Sequence, residues 1–193
     1  FQLGHPLWAL AIAVIGGLAA SVAPSFGRAG WRVLGASYII APCIALIWLR
    51  GEPATGLATV IWLLAVVWAS DTGAYFFGRA IGGPKMAPKI SPNKTWAGLI
   101  GGAGSAAIVG IAAGYLTGAQ SFVYLVVSGA ILALVGQLGD VFESSIKRRF
   151  KVKDSGSIIP GHGGLFDRLD SLLFVAVIYA AMMLMTGGVS VWR

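Results

Sequence analysis

Cysteine is nearly absent from this sequence: Cys43 is the one thiol among 193 residues. A disulfide framework is therefore excluded, and the residue, set inside an apolar run, behaves as a small hydrophobe. Charge is almost as scarce, at 11% of residues with a mean hydropathy of +0.82. Soluble domains carry about 25% charged residues, so a water-soluble globule is excluded as well. Low-complexity tracts, soluble linkers and a cleavable signal pattern are also missing.

What is present instead is a series of long apolar runs: Pro6–Val22, Val33–Leu49, Gly56–Ala69, Ala97–Leu116, Phe122–Leu138 and Leu172–Met185. A hydrocarbon core of roughly 30 Å takes about 20 helical residues. The runs lack the polar face that a buried soluble helix would show, so they predict an all-α, polytopic integral membrane protein with about six transmembrane helices. The third is expected to continue through Tyr75, Phe76 and Phe77. The whole of 1–193 is expected to form a single transmembrane domain. Gly98, Gly102 and Ala106, and likewise Gly110 and Gly114, recur at four-residue spacing, which lets helix backbones approach closely in lipid.

The net charge of +7 is unevenly spread. Between successive helices the first connection holds Arg28 and Arg32, and the third Arg79, Lys85, Lys89 and Lys94. The fifth holds Lys147, Arg148, Arg149, Lys151, Lys153 and Arg168. Twelve of fourteen basic residues thus fall on one side under strict alternation, and the positive-inside rule makes that side cytoplasmic. Such a distribution describes a membrane face, not a nucleic-acid surface.

Acids are few, and their placement is informative. Six of the seven (Asp71, Asp140, Glu143, Asp154, Asp167 and Asp170) lie at or beyond the cytoplasmic helix ends, leaving only Glu52 elsewhere. Carboxylates in membrane segments are expensive and usually mark sites. Asp140, then Glu143 or Ser144, then Lys147 share one helix face; Asp167 and Asp170 share another. Salt bridging or helix-start capping would account for Asp167 and Asp170. Neither accounts for Asp71 and Asp140 at helix C-terminal ends, where the dipole disfavours anions, whereas a Mg²⁺ ion held by carboxylates and substrate phosphates would. In "PGHGGLFDRLD", Gly161, Gly163 and Gly164 permit an anion-binding nest ahead of a helix N-terminus. "SPNKTW" (Ser91–Trp96) has a similar form: a proline turn, Lys94, then Thr95 as N-cap. His162 reads equally as a phosphate donor, a general base or a plain turn histidine; no Cys or second His stands near it to make a zinc site. Together these features point to a phosphate-rich ligand with a metal.

The segment "SSIKRRFKVKDSGSIIPGHGGLFDRLDS" closely resembles the signature of phosphatidate cytidylyltransferases (CDP-diacylglycerol synthases). Ser144, Ile146, Lys147, Arg148, Lys153, Asp154, Gly156, Ile159, Pro160, His162, Gly163, Gly164, Leu165, Asp167, Arg168, Leu169 and Asp170 each fit that pattern. Two further blocks, Val66–Gly98 and Gly136–Arg148, are similar to the family, so the resemblance covers Val66–Ser171. Ala97 departs from it, because many members carry Glu after Lys-Thr-Trp. Members also usually have further N-terminal transmembrane helices, which fits a chain that opens at Phe1 without Met.

The resemblance implies the reaction of CTP with phosphatidate to give CDP-diacylglycerol and pyrophosphate, at the cytoplasmic face of a bacterial inner membrane. It implies Asp140, Lys147, Asp167 and Asp170 as catalytic residues, with Asp140, Asp167 and Asp170 holding Mg²⁺ and Asp71 a further candidate ligand. A second cation is chemically apt. Substrate would be held by Lys94, Ser91, Asn93, Ser144, Arg148, His162, Gly163, Gly164 and Arg168. The expected partners are CTP, phosphatidic acid and the bilayer, with no nucleic acid; a homodimer stays open. A CTP-dependent lipid or polyprenol kinase is the nearest alternative. A transporter would instead place ionisable groups near the midplane within inverted repeats, and a scaffold would not need Asp71 and Asp140 where they are.

Overall fold

The structure, a computed structural model, describes residues 28–119, 122–156, 166–186 and 192. Five helices account for most of them: α1 (Arg28–Arg50), α2 (Gly56–Ala80), α3 (Trp96–Thr117), α4 (Phe122–Arg149) and α5 (Phe166–Met185). They correspond to five of the six predicted spans; the run Pro6–Val22 lies outside the described residues. Four of them, α1 to α4, are long and apolar enough to cross a membrane, while the apolar part of α5, Leu169–Met185, is shorter. As expected, α2 continues through the Tyr75–Phe77 aromatics to Ala80.

The all-α expectation holds, with one short addition. Strands β1 (Lys85–Ala87) and β2 (Ser91–Thr95) form an antiparallel ribbon between α2 and α3, with Lys85 opposite Thr95 and Ala87 opposite Ser91. The "SPNKT" segment is therefore a strand and not a free turn. Proline is tolerated there because a two-stranded ribbon is all edge. Gly82 and Gly83, at φ of 67° and 88°, turn the chain out of α2, a conformation that costs a residue without Cβ little. The ribbon closes where the Trp96 N–H donates to the Pro84 carbonyl at 3.2 Å. Thr95 then caps α3 as predicted, its hydroxyl accepting from the Gly98 N–H at 3.1 Å.

The chain divides into two compact units, Phe1–Val60 and Ile61–Arg193. The second holds the candidate site. Its packing depends on the seam anticipated from the glycine spacing: the buried positions of α3 are Gly98, Gly102, Ala106, Gly110 and Gly114. A Cβ on Gly98 or Gly102 would come within 2.8 Å of the α2 carbonyls of Ala74 and Ser70. One on Gly110 would meet the Leu125 carbonyl of α4 at 2.6 Å. In turn, Gly136 and Gly139 of α4 pack against Ser171, Phe174 and Val175 of α5. Leu125, Leu132, Ala133, Val175, Ala176 and Tyr179 complete this core. The outward faces are apolar too, with Trp68, Ile100, Ile108 and Leu116 exposed. A molecule that leaves such residues uncovered is suited to lipid and not to water.

Candidate active site

Ionisable side chains from β2, α2, α4 and α5 meet toward the ribbon end of the helices. Asp71 and Asp140 lie more than two turns inside α2 and α4 and not at the C-terminal ends expected for them, so the helix dipole does not bear on them. Lys94, near the end of β2, reaches α4: its ammonium lies 2.5 Å from Asp140 Oδ2 and donates to the Gln137 carbonyl at 3.0 Å. Asp71 of α2 and Asp170 of α5 stand within electrostatic reach of Asp140, and Asp71 also feels Lys94. Three helices thus turn carboxylates toward one region, beside an ammonium delivered by the ribbon.

One to two turns further along α4, a second group forms around Lys147. Its ammonium donates to Asp167 Oδ1 of α5 at 2.8 Å and lies 3.4 Å from Glu143 Oε1. Asp167 also accepts from the Ser155 N–H at 2.9 Å and the Ser155 hydroxyl at 3.0 Å. It thereby fastens the segment that follows α4 to the first turn of α5. Glu143 is buried, with 6% of its surface exposed. Asp170 is close enough to act on it electrostatically, and among the described residues its enclosed Oε2 atom has no donor.

Lys94 and Lys147 are only 15% and 16% exposed along their side chains. Ion pairs withdrawn from water this far are weak sources of stability, because desolvation offsets most of the attraction. Phosphate oxygens could replace the carboxylates as partners at little net cost.

Other expected site residues are more scattered. Ser144 is half-buried on α4 and Ser91 half-buried on β2, while Asn93 is exposed. Arg148 is exposed and turns to the Val152 carbonyl at 3.4 Å. His162, Gly163 and Gly164 lie outside the described residues, as does the side chain of Arg168. Among the described residues no three His, Cys, Asp or Glu side chains are drawn together tightly enough to hold a metal ion. The chemistry of the donor set still suits Mg²⁺, which takes hard carboxylate oxygens and completes its shell with water and substrate phosphates. Glu143 Oε2, close to Asp170, has no hydrogen-bond partner among the described residues. Asp167, by contrast, is occupied by Lys147 and Ser155.

Glu143 is the member that sequence reasoning did not single out. The signal was its spacing, three after Asp140 and four before Lys147, but Ser144 met the same criterion.

A model of the cytidylyltransferase family matches residues 2–186 of the chain. The chain is 46% identical over 149 residues to a phosphatidate cytidylyltransferase of Brucella suis biovar 1, covering 77% of this chain and 55% of the relative. It is 42% identical over 154 residues to a phosphatidate cytidylyltransferase of Bacillus subtilis, covering 78% and 56%. With one of Staphylococcus aureus the identity is 49% over 121 residues, 62% of this chain and 46% of the relative. The chain therefore spans about half the length of the curated relatives it matches.

Proposed function

The chain belongs to the cytidylyltransferase family, and from that premise we propose that it transfers the cytidylyl group of CTP to phosphatidate, giving CDP-diacylglycerol and pyrophosphate. The observation that carries the proposal is the pair of half-buried ammoniums, Lys94 and Lys147, each held by carboxylates at one end of a bundle of apolar helices. In a bilayer crossed by these helices that end would lie near headgroup depth, where a lipid phosphate and a nucleoside triphosphate can meet.

In this reaction a phosphatidate phosphate oxygen bonds to the α-phosphorus of CTP. The bond from that phosphorus to the α–β bridging oxygen breaks, and pyrophosphate leaves with the electron pair. The attacking phosphate is ionised at neutral pH, so no general base is needed. The obstacle is repulsion between two polyanions, and catalysis is largely positioning and charge stabilisation. Lys94 would exchange Asp140 for a phosphate, and Lys147 would exchange Asp167 for the charge developing around the α-phosphorus. The freed Asp140, with Asp170 or Asp71 and substrate phosphates, would hold Mg²⁺, whose part is to neutralise phosphate charge. Arg148 would add an outer cation; the Arg168 side chain, His162, Gly163 and Gly164, expected from the resemblance to contact substrate, lie outside what the structure describes. The excess of basic residues on this side supports a site facing the cytoplasm.

The test is product analysis with the protein in detergent, given labelled CTP, phosphatidate and Mg²⁺. Label in a CDP-lipid together with free pyrophosphate is expected. Release of CDP with phosphorylated lipid would instead identify a kinase. Chelation by EDTA should abolish turnover and Mg²⁺ should restore it; full activity in excess EDTA would remove the metal from the proposal.

A further inference from the structure

Among the side chains of this site, Glu143 is the most enclosed and the least explained. It cannot serve as a surface counter-ion, since 6% of it is exposed. Nor does it make the shortest contact of Lys147: Asp167 lies at 2.8 Å and Glu143 Oε1 at 3.4 Å. Among the described residues its Oε2 atom has no donor, and Asp170, another acid, is close enough to act on it electrostatically. A buried carboxyl so placed is unfavourable for folding, because an enclosed polar atom without a partner keeps its full desolvation cost. Neighbouring positions on the same helix, Gly139 and Phe142, meet Phe174 of α5 with apolar surface alone. Positions that are costly to the fold but built into the site are where function is to be sought.

We propose that Glu143 is a positioning residue, which holds the Lys147 ammonium between α4 and α5 and so keeps it aimed into the site when Asp167 releases it. The geometry suits the task. Glu143 and Lys147 are one turn apart on one rigid helix, so the carboxyl cannot drift as a loop residue would. Its contact is the longer of the two, so it steadies the ammonium without competing with the partner that substrate displaces. Asp170 of α5 is close enough to interact electrostatically with the same carboxyl. Misplacing a catalytic group by about 1 Å can cost on the order of 100-fold in rate, and a lysine stem with four rotatable carbons is prone to such drift.

The inference rests on the proposed cytidylyl transfer, and a mutant cycle tests it separately. Turnover and KM for CTP are measured for wild type, Glu143→Ala, Lys147→Ala and the double variant, in detergent with phosphatidate. Glu143→Ala should lower kcat by at least about tenfold and leave KM within about twofold, because an interaction expressed mainly in the transition state acts on kcat. In the Lys147→Ala background the same change should cost nothing further, since groups that act as one unit are non-additive. A multiplicative loss in the double variant, or wild-type kcat in Glu143→Ala, overturns the proposal. Should Glu143→Ala fail to fold, Glu143→Gln runs the same cycle at constant volume and is held to the same non-additivity. If wild type releases CDP and not pyrophosphate, the cytidylyl-transfer reading fails, while the cycle can still be read on that product.

Discussion

Lys147 has two acidic neighbours at once, and the difference between them sets what a substitution there should do. The short contact to Asp167 joins α4 to α5, while Glu143 stands one turn away on the same helix. Lys147→Ala should depress kcat by orders of magnitude even at saturating CTP and Mg²⁺, with the protein still inserted and folded. Lys147→Arg should be impaired too, because a planar guanidinium fork does not fit a slot built for a point charge. Steady-state kinetics on lipid substrate check both, and wild-type kinetics in the pair would take Lys147 out of the site. Asp167→Asn tests the opposite partner. Removing that charge should lower activity steeply and also loosen the 151–156 segment, whose Ser155 binds the carboxylate. Faster amide exchange at Ser155 would report the second effect, and unchanged exchange would deny it. The sequence placed Asp140, Lys147, Asp167 and Asp170 in one neighbourhood, because helical spacing and membrane depth are both readable from it. It could not say which acid pairs with which cation, since a carboxylate awaiting a metal and one holding a lysine are the same letter. Glu143 was obscured for a similar reason: a period of about 3.6 residues does not choose between i+3 and i+4, hence between Glu143 and Ser144.

At the scale of elements, the glycine seam of α3 was legible in full, because four-residue spacing in an apolar run has few other uses. The ribbon was not. Its strands are short, carry Pro92 and show no alternation of apolar and polar residues, so nothing in "KMAPKISPNKT" distinguishes pairing from an open loop. The seam makes a graded prediction. Gly110→Ala would push a methyl to 2.6 Å from the Leu125 carbonyl, whereas Gly104 has nothing within 4 Å of the same added atom. Overpacking of this kind costs about 1–3 kcal/mol. Replacing an exposed helical glycine by alanine instead gains about 0.5–1 kcal/mol. Thermal unfolding in detergent should therefore rank Gly110→Ala below wild type and Gly104→Ala level with it or above. The reverse order would mean that α3 and α4 do not approach as closely as described. Thr95→Ala, which strips the cap from α3, should cost about 1 kcal/mol and loosen the ribbon strand that carries Lys94.

For the whole molecule, the two connections that, with the helix turns flanking them, bear most of the positive charge lie at one end of the bundle. The contacts require this independently of the charge count: Lys94 binds Asp140, and Ser155 binds Asp167, which in turn binds Lys147 two turns beyond Asp140 on α4. Cysteines placed at Pro84 and at Ser155, in a Cys43→Ser background, should both react with an impermeant maleimide from the cytoplasmic side alone. Labelling from opposite sides would contradict the fold, and labelling of both from outside would reverse the orientation. The helix that carries Asp167 and Asp170 also has the shortest apolar stretch, Leu169–Met185. At about 1.5 Å per residue its 17 residues give ~25 Å, against a hydrocarbon layer of roughly 30 Å. A deficit of that size draws the nearby leaflet inward. The bilayer would then dimple over the start of α5, and a phosphate on a lipid could settle onto the carboxylates while its acyl chains stay in oil.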